Sequence, residues 1–348
     1  MPKQLLRGKI RLIGGDLTKK LMYLETGSTD AAYNLAFEEY VHTCKCDHDY
    51  LILWQNANAV IVGRNQNAEA EINRPFVDAN NIQVIRRNTG GGTVYHDLGN
   101  LNYSFITDAD GIDRSTLDHF LTPVVSALRN LGLDASASGR NDILVSGKKV
   151  SGTAQSLHKG RVLHHGTLLF DSNTEVLVQA LNPDPTKFQS KGVNSVRSRV
   201  GNIRDHLQQD MSIAEFWAHI KDSLSSENLS HSSLSDPELQ KVLEIKQNKY
   251  DTWQWNYGKS PKYQFQTKKR WPGGLLDIQL SAENSKISGI QICGDFLCWK
   301  PISELEQKMI GSPIERSALN AALDGITISD YLGSITREEF IDTLLNMT

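Results

Sequence analysis

Arg86-Arg87-Asn88-Thr89-Gly90-Gly91-Gly92-Thr93-Val94-Tyr95-His96-Asp97 joins two guanidiniums, three residues without side chains and a strand-like run within twelve positions. Glycines let a backbone turn through positive φ and bring its N–H groups against a ligand. An arginine beside them adds planar, permanent positive charge for a carboxylate or a phosphate. The stretch is not a GxxxxGK[ST] loop, because no Lys-Ser or Lys-Thr follows the glycines, and it is not GxGxxG. A plain hairpin turn is the other reading of a triple glycine. The flanks favour the anion site: Ile82–Ile85 before it and Leu101–Phe105 after it read as strands, so two rigid strands are expected to present the loop.

Working outward, a second cluster runs from Gly139 to Ala154 as GRNDILVSGKKVSGTA. Asn141-Asp142 opens a short apolar strand, Ser146-Gly147 turns it, and Lys149 enters the next strand among Ser151, Gly152, Thr153 and Ala154. Small neighbours leave room for a substrate beside the amine, where an ammonium could neutralise a phosphate and a carboxylate together. Lys148 points to the opposite face of an extended segment and reads as the solvated one of the pair. Asn141 and Asp142 suit Mg²⁺, which takes one or two carboxylates and keeps its waters, or equally a turn. His164 and His165 are adjacent in an apparent strand, so they face opposite sides and cannot chelate one ion together.

The composition narrows the class. At 348 residues with 39% hydrophobic content the chain can build about two domains. A net charge of −3 argues against a general nucleic-acid binder, and no apolar run reaches the length of a membrane span. The four cysteines, Cys44, Cys46, Cys293 and Cys298, are too few and too badly spaced for a zinc ribbon or a disulfide framework, which fits reduced thiols in a cytoplasmic compartment. Residues 1–20 carry six Lys/Arg against one acid, Asp16, so this N-terminal extension reads as a translated leader or an organelle-targeting stretch.

RRNTGGGTVYHDLGNLNYSF, GRNDILVSGKKVSGTA, HHGTLLF and KGVNSVRSRVGNI, taken in order, resemble the lipoate-protein ligases from about Leu24 to the end of the chain. The resemblance implies a two-step reaction, in which lipoate and ATP give lipoyl-AMP and the acyl group passes to a lysine of a carrier domain. It implies an α+β fold of the biotin- and lipoate-protein ligase type, akin to class II tRNA-synthetase domains, with a small α+β C-terminal accessory domain. By the same resemblance Lys149 is the catalytic lysine, touching adenylate phosphate and lipoyl carbonyl. Arg87, Gly92, Thr93, Val94, Tyr95, Asn141, Asp142 and Arg197 lie along the nucleotide, and Asp142 is the candidate Mg²⁺ ligand. Trp54 at the far end of the lipoyl tail, with Arg87, Thr89, Gly90, Gly91, Gly92, His96, Lys149, Gly152, Thr153 and His165, forms the lipoate pocket. The acceptors implied are lipoyl domains of 2-oxoacid dehydrogenase E2 subunits and the glycine-cleavage H protein.

Organisation follows the same division: an extension at 1–20, a catalytic domain at 21–261 and an accessory domain at 262–348. Ser28-Thr29-Asp30 caps an expected helix over 31–40. Strands are expected near 50–55 and 59–63, helices near 72–80 and 115–131, and, in the second domain, helices near 303–310 and 336–346. Seven serines among residues 223–235 suggest a loop or exposed linker. Two other activities share these motifs. A thioester-forming transferase needs a cysteine, and none lies between residues 47 and 292, where the pocket motifs fall. A transferase that accepts only preformed lipoyl-AMP keeps every motif, and the accessory domain favours the full ligase over it. A non-catalytic binding protein would have less reason to keep Arg87 and Lys149.

Overall fold

The computed structural model describes residues 21–109, 117–139, 141–182, 199–224, 229–257, 265–283 and 286–345; the stretch 1–20 and Arg197 lie outside them. In chain order the first elements are β1 (Leu21–Glu25), α1 (Ala31–Cys44), β2 (Asp49–Trp54), β3 (Ala59–Val62), α2 (Ala68–Glu71), α3 (Arg74–Ala79), β4 (Gln83–Arg86), β5 (Val94–His96) and β6 (Asn100–Asp108). There follow α4 (Leu117–Asn130), β7 (Ala135–Ser138), β8 (Asp142–Val145), β9 (Lys148–His158), β10 (Arg161–Leu169) and α5 (Thr174–Ala180). Then come α6 (Ile213–Leu224), β11 (Ser230–His231), α7 (Asp236–Ile245), a π-helical turn (Lys246–Tyr250) and α8 (Trp253–Asn256). The last are β12 (Phe265–Trp271), β13 (Gly274–Glu283), β14 (Lys286–Gly294), α9 (Ile302–Met309), α10 (Arg316–Ala322), α11 (Ser329–Leu332) and α12 (Arg337–Leu345). No described helix is long and apolar enough to cross a membrane.

Eight strands form one mixed sheet in the order β11-β1-β2-β6-β10-β9-β8-β7. Alternation gives it two covered faces. Leu51, Leu53, Tyr103, Phe105 and Val162 pack under α4 and α6 with Phe120, Val124 and Phe216. Ile52, Trp54, Ile106 and Leu163 pack under α1 and α7 with Leu35, Tyr40 and Val242. β2 is buried on both faces, so its own pattern does not fix its register. β6 and β10 fix it, because a slip of one residue would drive Asn102, Ser104 and His165 into the Phe120 core at about 1–3 kcal/mol for each unsatisfied polar group. α1 starts as expected, with the Asp30 carboxylate accepting from Ala32 N–H at 3.0 Å.

A smaller sheet, β4-β3-β5, carries the triple glycine. Here the expectation needs correcting. The loop joins β4 to β5, which flank β3 without pairing with each other, whereas β6 belongs to the large sheet. The glycines therefore bridge the two edges of a three-stranded unit instead of turning a hairpin. The serine-rich run 223–235 is part loop, as expected, with residues 232–235 outside any helix or strand. It contains the last turn of α6, the edge strand β11, which pairs parallel with β1, and Ser235, which caps α7 in a reciprocal box with Glu238.

From Phe265 a three-stranded antiparallel sheet, β12-β13-β14, packs with the last helices around its own core of Leu276, Ile278, Ile292, Leu305, Leu332 and Phe340. Its strand ends dock on the catalytic unit: Gly294 N–H donates to Asn65 O at 2.9 Å and Gly91 N–H to Phe296 O at 3.3 Å.

Candidate active site

Residues paired directly across antiparallel strands share a face. On the α1 side of the large sheet, Trp54 pairs with Asn102 and Ile52 with Ser104, Asn102 and Ser104 pair with Thr167 and His165, and His165 pairs with Ala154. One step further Gly152 N–H donates to Thr167 Oγ1 at 3.2 Å, and Gly152 pairs with Asp142. The same face thus runs from Trp54 on β2 to Asp142 on β8. From β2 to β9 it spans roughly 14 Å at the usual strand spacing.

A bulge completes it. Between β8 and β9 the register passes from Ile143↔Ser151 to Leu144↔Lys149, leaving Val150 over. Lys149 and Gly152, three apart, would point to opposite faces of a regular strand, and the extra residue brings them to the same one. The hairpin turn before them, Ser146-Gly147, has both residues at positive φ, 47° and 79°. Lys149 Nζ binds Asp142 Oδ1 at 2.6 Å, and Arg199 Nη2 binds Asp142 Oδ2 at 2.5 Å. Burial raises the Asp142 carboxyl, but the two cations outweigh it and hold the group below the usual carboxylate range. A Cβ on Gly152 would stand 3.2 Å from Lys149 Nζ, so the room left by this glycine is filled by the lysine itself.

At the other end of the face a chain of hydrogen bonds converges on Glu38, a carboxylate from α1 that is only 3% exposed. Trp54 Nε1 donates to Ser104 Oγ at 2.9 Å, and Ser104 Oγ donates to Glu38 Oε1 at 2.5 Å. His165 Nδ1 lies 2.9 Å from Glu38 Oε1, and its Nε2 lies 2.7 Å from Thr89 Oγ1, which accepts from Arg87 Nε at 3.0 Å. With the carboxylate as acceptor, Nδ1 donates and the Thr89 hydroxyl donates to Nε2; the neutral Nδ1–H tautomer satisfies every member. His164 faces away as expected, stacked on Phe120 at 4.7 Å with burial pressing its pKa down to about 3.

Both regions match known proteins. The family described as "Lipoyl protein ligase A/B catalytic domain" matches residues 30–225, and that described as "Bacterial lipoate protein ligase C-terminus" matches residues 260–344. "Lipoate-protein ligase LplJ" of Bacillus subtilis (strain 168) is 42% identical over 320 residues, covering 90% of this chain and 97% of its own. The chain belongs to the lipoate-protein ligases. Among solved structures, a lipoate-protein ligase A bound with ATP has a TM-score of 0.61 at 31% identity, covering 69% of this chain and 98% of its own. Plasmodium falciparum LipL1 in complex with lipoate shares the fold over 94% of this chain and 98% of its own, with a TM-score of 0.73 at 22% identity.

Within this lipoate-protein ligase the expected site residues divide. Trp54, Thr89, Lys149, Gly152, Asp142 and His165 come together around the face described. Arg87 is inside the loop: its guanidinium also donates to the carbonyls of Ile61 at 3.1 Å, Gly90 at 2.6 Å and Gly92 at 2.8 Å. Burial pushes its pKa down to about 10, so it stays cationic while shaping the glycines more than offering an open fork. Gly91, at φ 90°, gives its N–H to the C-terminal domain, and Gly90 lies against Phe296 O. Thr93 Oγ1 donates to Gln66 at 2.8 Å, and Val94 packs beside the α1 core.

Five of the expected side chains are engaged with other protein groups. Tyr95 lies in the core of the small sheet with its hydroxyl on Asn58, so it presents only backbone to a nucleotide. Thr153 faces away from Gly152 and exchanges bonds with Asn141, its N–H donating to Asn141 O at 2.9 Å and its carbonyl accepting from Asn141 Nδ2 at 2.8 Å. Asn141 is therefore a clasp. Asp142, with both oxygens engaged by cations, does not fit a metal ligand in this arrangement, and no group of three metal-ligating residues occurs among the described residues. His96 sits behind Trp54, rings 6.3 Å apart, with Nδ1 on Asn56 and burial pressing its pKa to about 3.

Sequence reasoning missed Glu38 and Ser104. Glu38 carried a signal: it follows buried Asn34 and Leu35 by one turn, where an acid is tolerated only if paired. It also passed over Cys298, which the C-terminal domain brings to Asn65 at 3.3 Å beside the glycine loop. Burial raises that thiol above its ordinary range.

Proposed function

We propose that this chain is a full lipoate-protein ligase, divided into a catalytic domain at 21–261 and an accessory domain at 262–348. Lipoate's carboxylate oxygen attacks the α-phosphorus of ATP, pyrophosphate leaves, and lipoyl-AMP forms. The ε-amine of an acceptor lysine then attacks the acyl carbonyl, loses a proton and expels AMP. The observation that carries this reading is the shared sheet face, with the Trp54 ring beside the Glu38–His165 hydrogen-bond network at one end and the Lys149 ammonium at the other. A long acid laid along that face would put its tail against the Trp54 ring and its carboxylate at the ammonium. Lys149 offsets the repulsion between the carboxylate and the phosphate and stabilises the charge that develops between them. Asp142 holds the ammonium in place. Mg²⁺ bound with the triphosphate would offset part of the phosphate charge. The acceptors are lipoyl domains of E2 subunits and the H protein, whose exposed lysine reaches the carbonyl.

Purified protein incubated with lipoate, ATP and Mg²⁺ is expected to release pyrophosphate and form lipoyl-AMP before any acceptor is added. An apo lipoyl domain added next should gain the mass of one lipoyl group. No pyrophosphate, with transfer from supplied lipoyl-AMP, would replace the ligase with a transferase.

A further inference from the structure

Alternation at the root of the glycine loop sends its residues two ways. Arg87 and Thr89 turn toward His165, while Arg86 and Asn88 turn into residues 246–256. Arg86 N–H donates to Asn256 Oδ1 at 2.9 Å, its guanidinium reaches the carbonyls of Trp255 and Asn256 at 3.0 Å each, and Trp255 Nε1 donates back to Arg86 O at 2.8 Å. Asn88 Nδ2 donates to Glu39 Oε2 and to the Tyr250 hydroxyl, both at 2.8 Å, and its Oδ1 accepts from Lys249 Nζ at 2.7 Å. Lys249 also binds both Glu39 oxygens, at 2.9 and 2.8 Å, and its ammonium stands 4.2 Å over the Trp255 ring. Burial pushes the Glu39 carboxyl up, but the Lys249 charge and these bonds outweigh it and hold it below the usual range. The segment supplying Lys249 and Tyr250 is the π-helical turn, a wide winding that recurs near functional sites.

We propose that Lys249 and Glu39 are a positioning pair for the glycine loop, holding Asn88 so that Arg87 and Thr89 are set into the acyl site. Neither touches substrate. Helix α1 thereby grips consecutive loop residues with consecutive glutamates, Glu38 reaching Thr89 through His165 and Glu39 reaching Asn88 directly. The residues after α7 act at the site without belonging to it. This inference rests on the ligase reading for its kinetic readout only.

Lys249→Met keeps an apolar stem over Trp255 and removes the charge, and Lys249→Arg restores it. Amide exchange over residues 86–92 should quicken by about tenfold or more in Lys249→Met while β2 and β6 keep their protection. Adenylate formation should lose about 10–100-fold in kcat, as expected for displaced groups, with KM for lipoate within roughly threefold of wild type. Lys249→Arg should recover most of the rate. If Lys249→Met does not fold, Asn88→Ala removes the tether from the loop side and carries the same expectation. Unchanged exchange over 86–92 in a folded variant, or a loss that only tracks the unfolded fraction and is not rescued by arginine, overturns the proposal. Wild-type protein that forms no adenylate but shows the exchange pattern would sink the ligase reading and leave the positioning pair standing.

Discussion

A regular pairing of β8 with β9 would set Lys149 opposite Val145, on the face away from Trp54 and His165; the Val150 bulge sets it opposite Leu144 instead. The lysine's type was legible in the sequence, among small residues after an Asn-Asp turn. Its direction was not, because a bulge is decided by the partner strand. Lys149→Ala should lower adenylate formation by about 10²–10³-fold while costing no more than about 1 kcal/mol of stability, since Arg199 still neutralises Asp142. Steady-state pyrophosphate release and thermal melts check both halves. Gly152→Ala is a finer probe. Its Cβ would meet only the flexible end of Lys149, at 3.2 and 3.3 Å, so the fold should hold while the ammonium is pushed off Asp142. We expect about a tenfold fall in kcat at unchanged melting temperature, and a variant as active as wild type would show that the Lys149–Asp142 contact does not matter.

Along β10 two adjacent histidines serve opposite faces, His164 in the Phe120 core and His165 in the Glu38 network. Strand alternation alone foretold the opposition, whereas the partners came from α4 and α1. Burial holds His164 at about 3, below the roughly 6.5 of a free imidazole. Between those values the unfolded chain binds a proton that the folded chain does not. This contribution is therefore complete above about pH 6.5 and is lost as pH falls toward the folded value, at about 1.4 kcal/mol per pH unit. His164→Phe keeps a ring on Phe120 and strands the Gln155 amide, which bonds His164 at 2.9 Å. Stability at pH 7 should fall by about 1–3 kcal/mol, yet its decline between pH 6.5 and 4.5 should lose one proton's slope. Urea midpoints measured across that range test it; an unaltered slope would mean that His164 titrates normally.

For the whole molecule the decisive contact is the accessory domain on the glycine loop. A Cβ at Gly90 would stand 2.6 Å from Phe296 O and 3.3 Å from Cys298 N, both backbone atoms with little freedom to yield. Gly90→Ala should therefore loosen the docking without unfolding either core. Amide exchange at 294–298 should rise, a second thermal transition should separate, and adenylate formation should drop by about tenfold or more. A single transition with native exchange at 294–298 would show that the docking tolerates the methyl group. No reading of residues 86–97 alone could have found this neighbour, more than two hundred positions along the chain.

Alternating strands, the capped α1, the glycine run and the lysine pair ahead of small residues are local matters, set by φ freedom, side-chain period and capping chemistry within a few positions. From these and its motifs the sequence determined the α+β class and the ligase family, and it singled out Lys149, Trp54 and His165, which the structure brings to one sheet face. Tertiary structure alone decided that the glycine loop spans a separate small sheet, that Arg87 braces the loop from within, that Tyr95 and Thr153 turn away, and that Glu38 meets His165, Arg199 meets Asp142 and Lys249 meets Asn88. The outcomes at charged groups depend on which distant strand or helix supplies the partner. Burial makes that partner obligatory, but only packing chooses it.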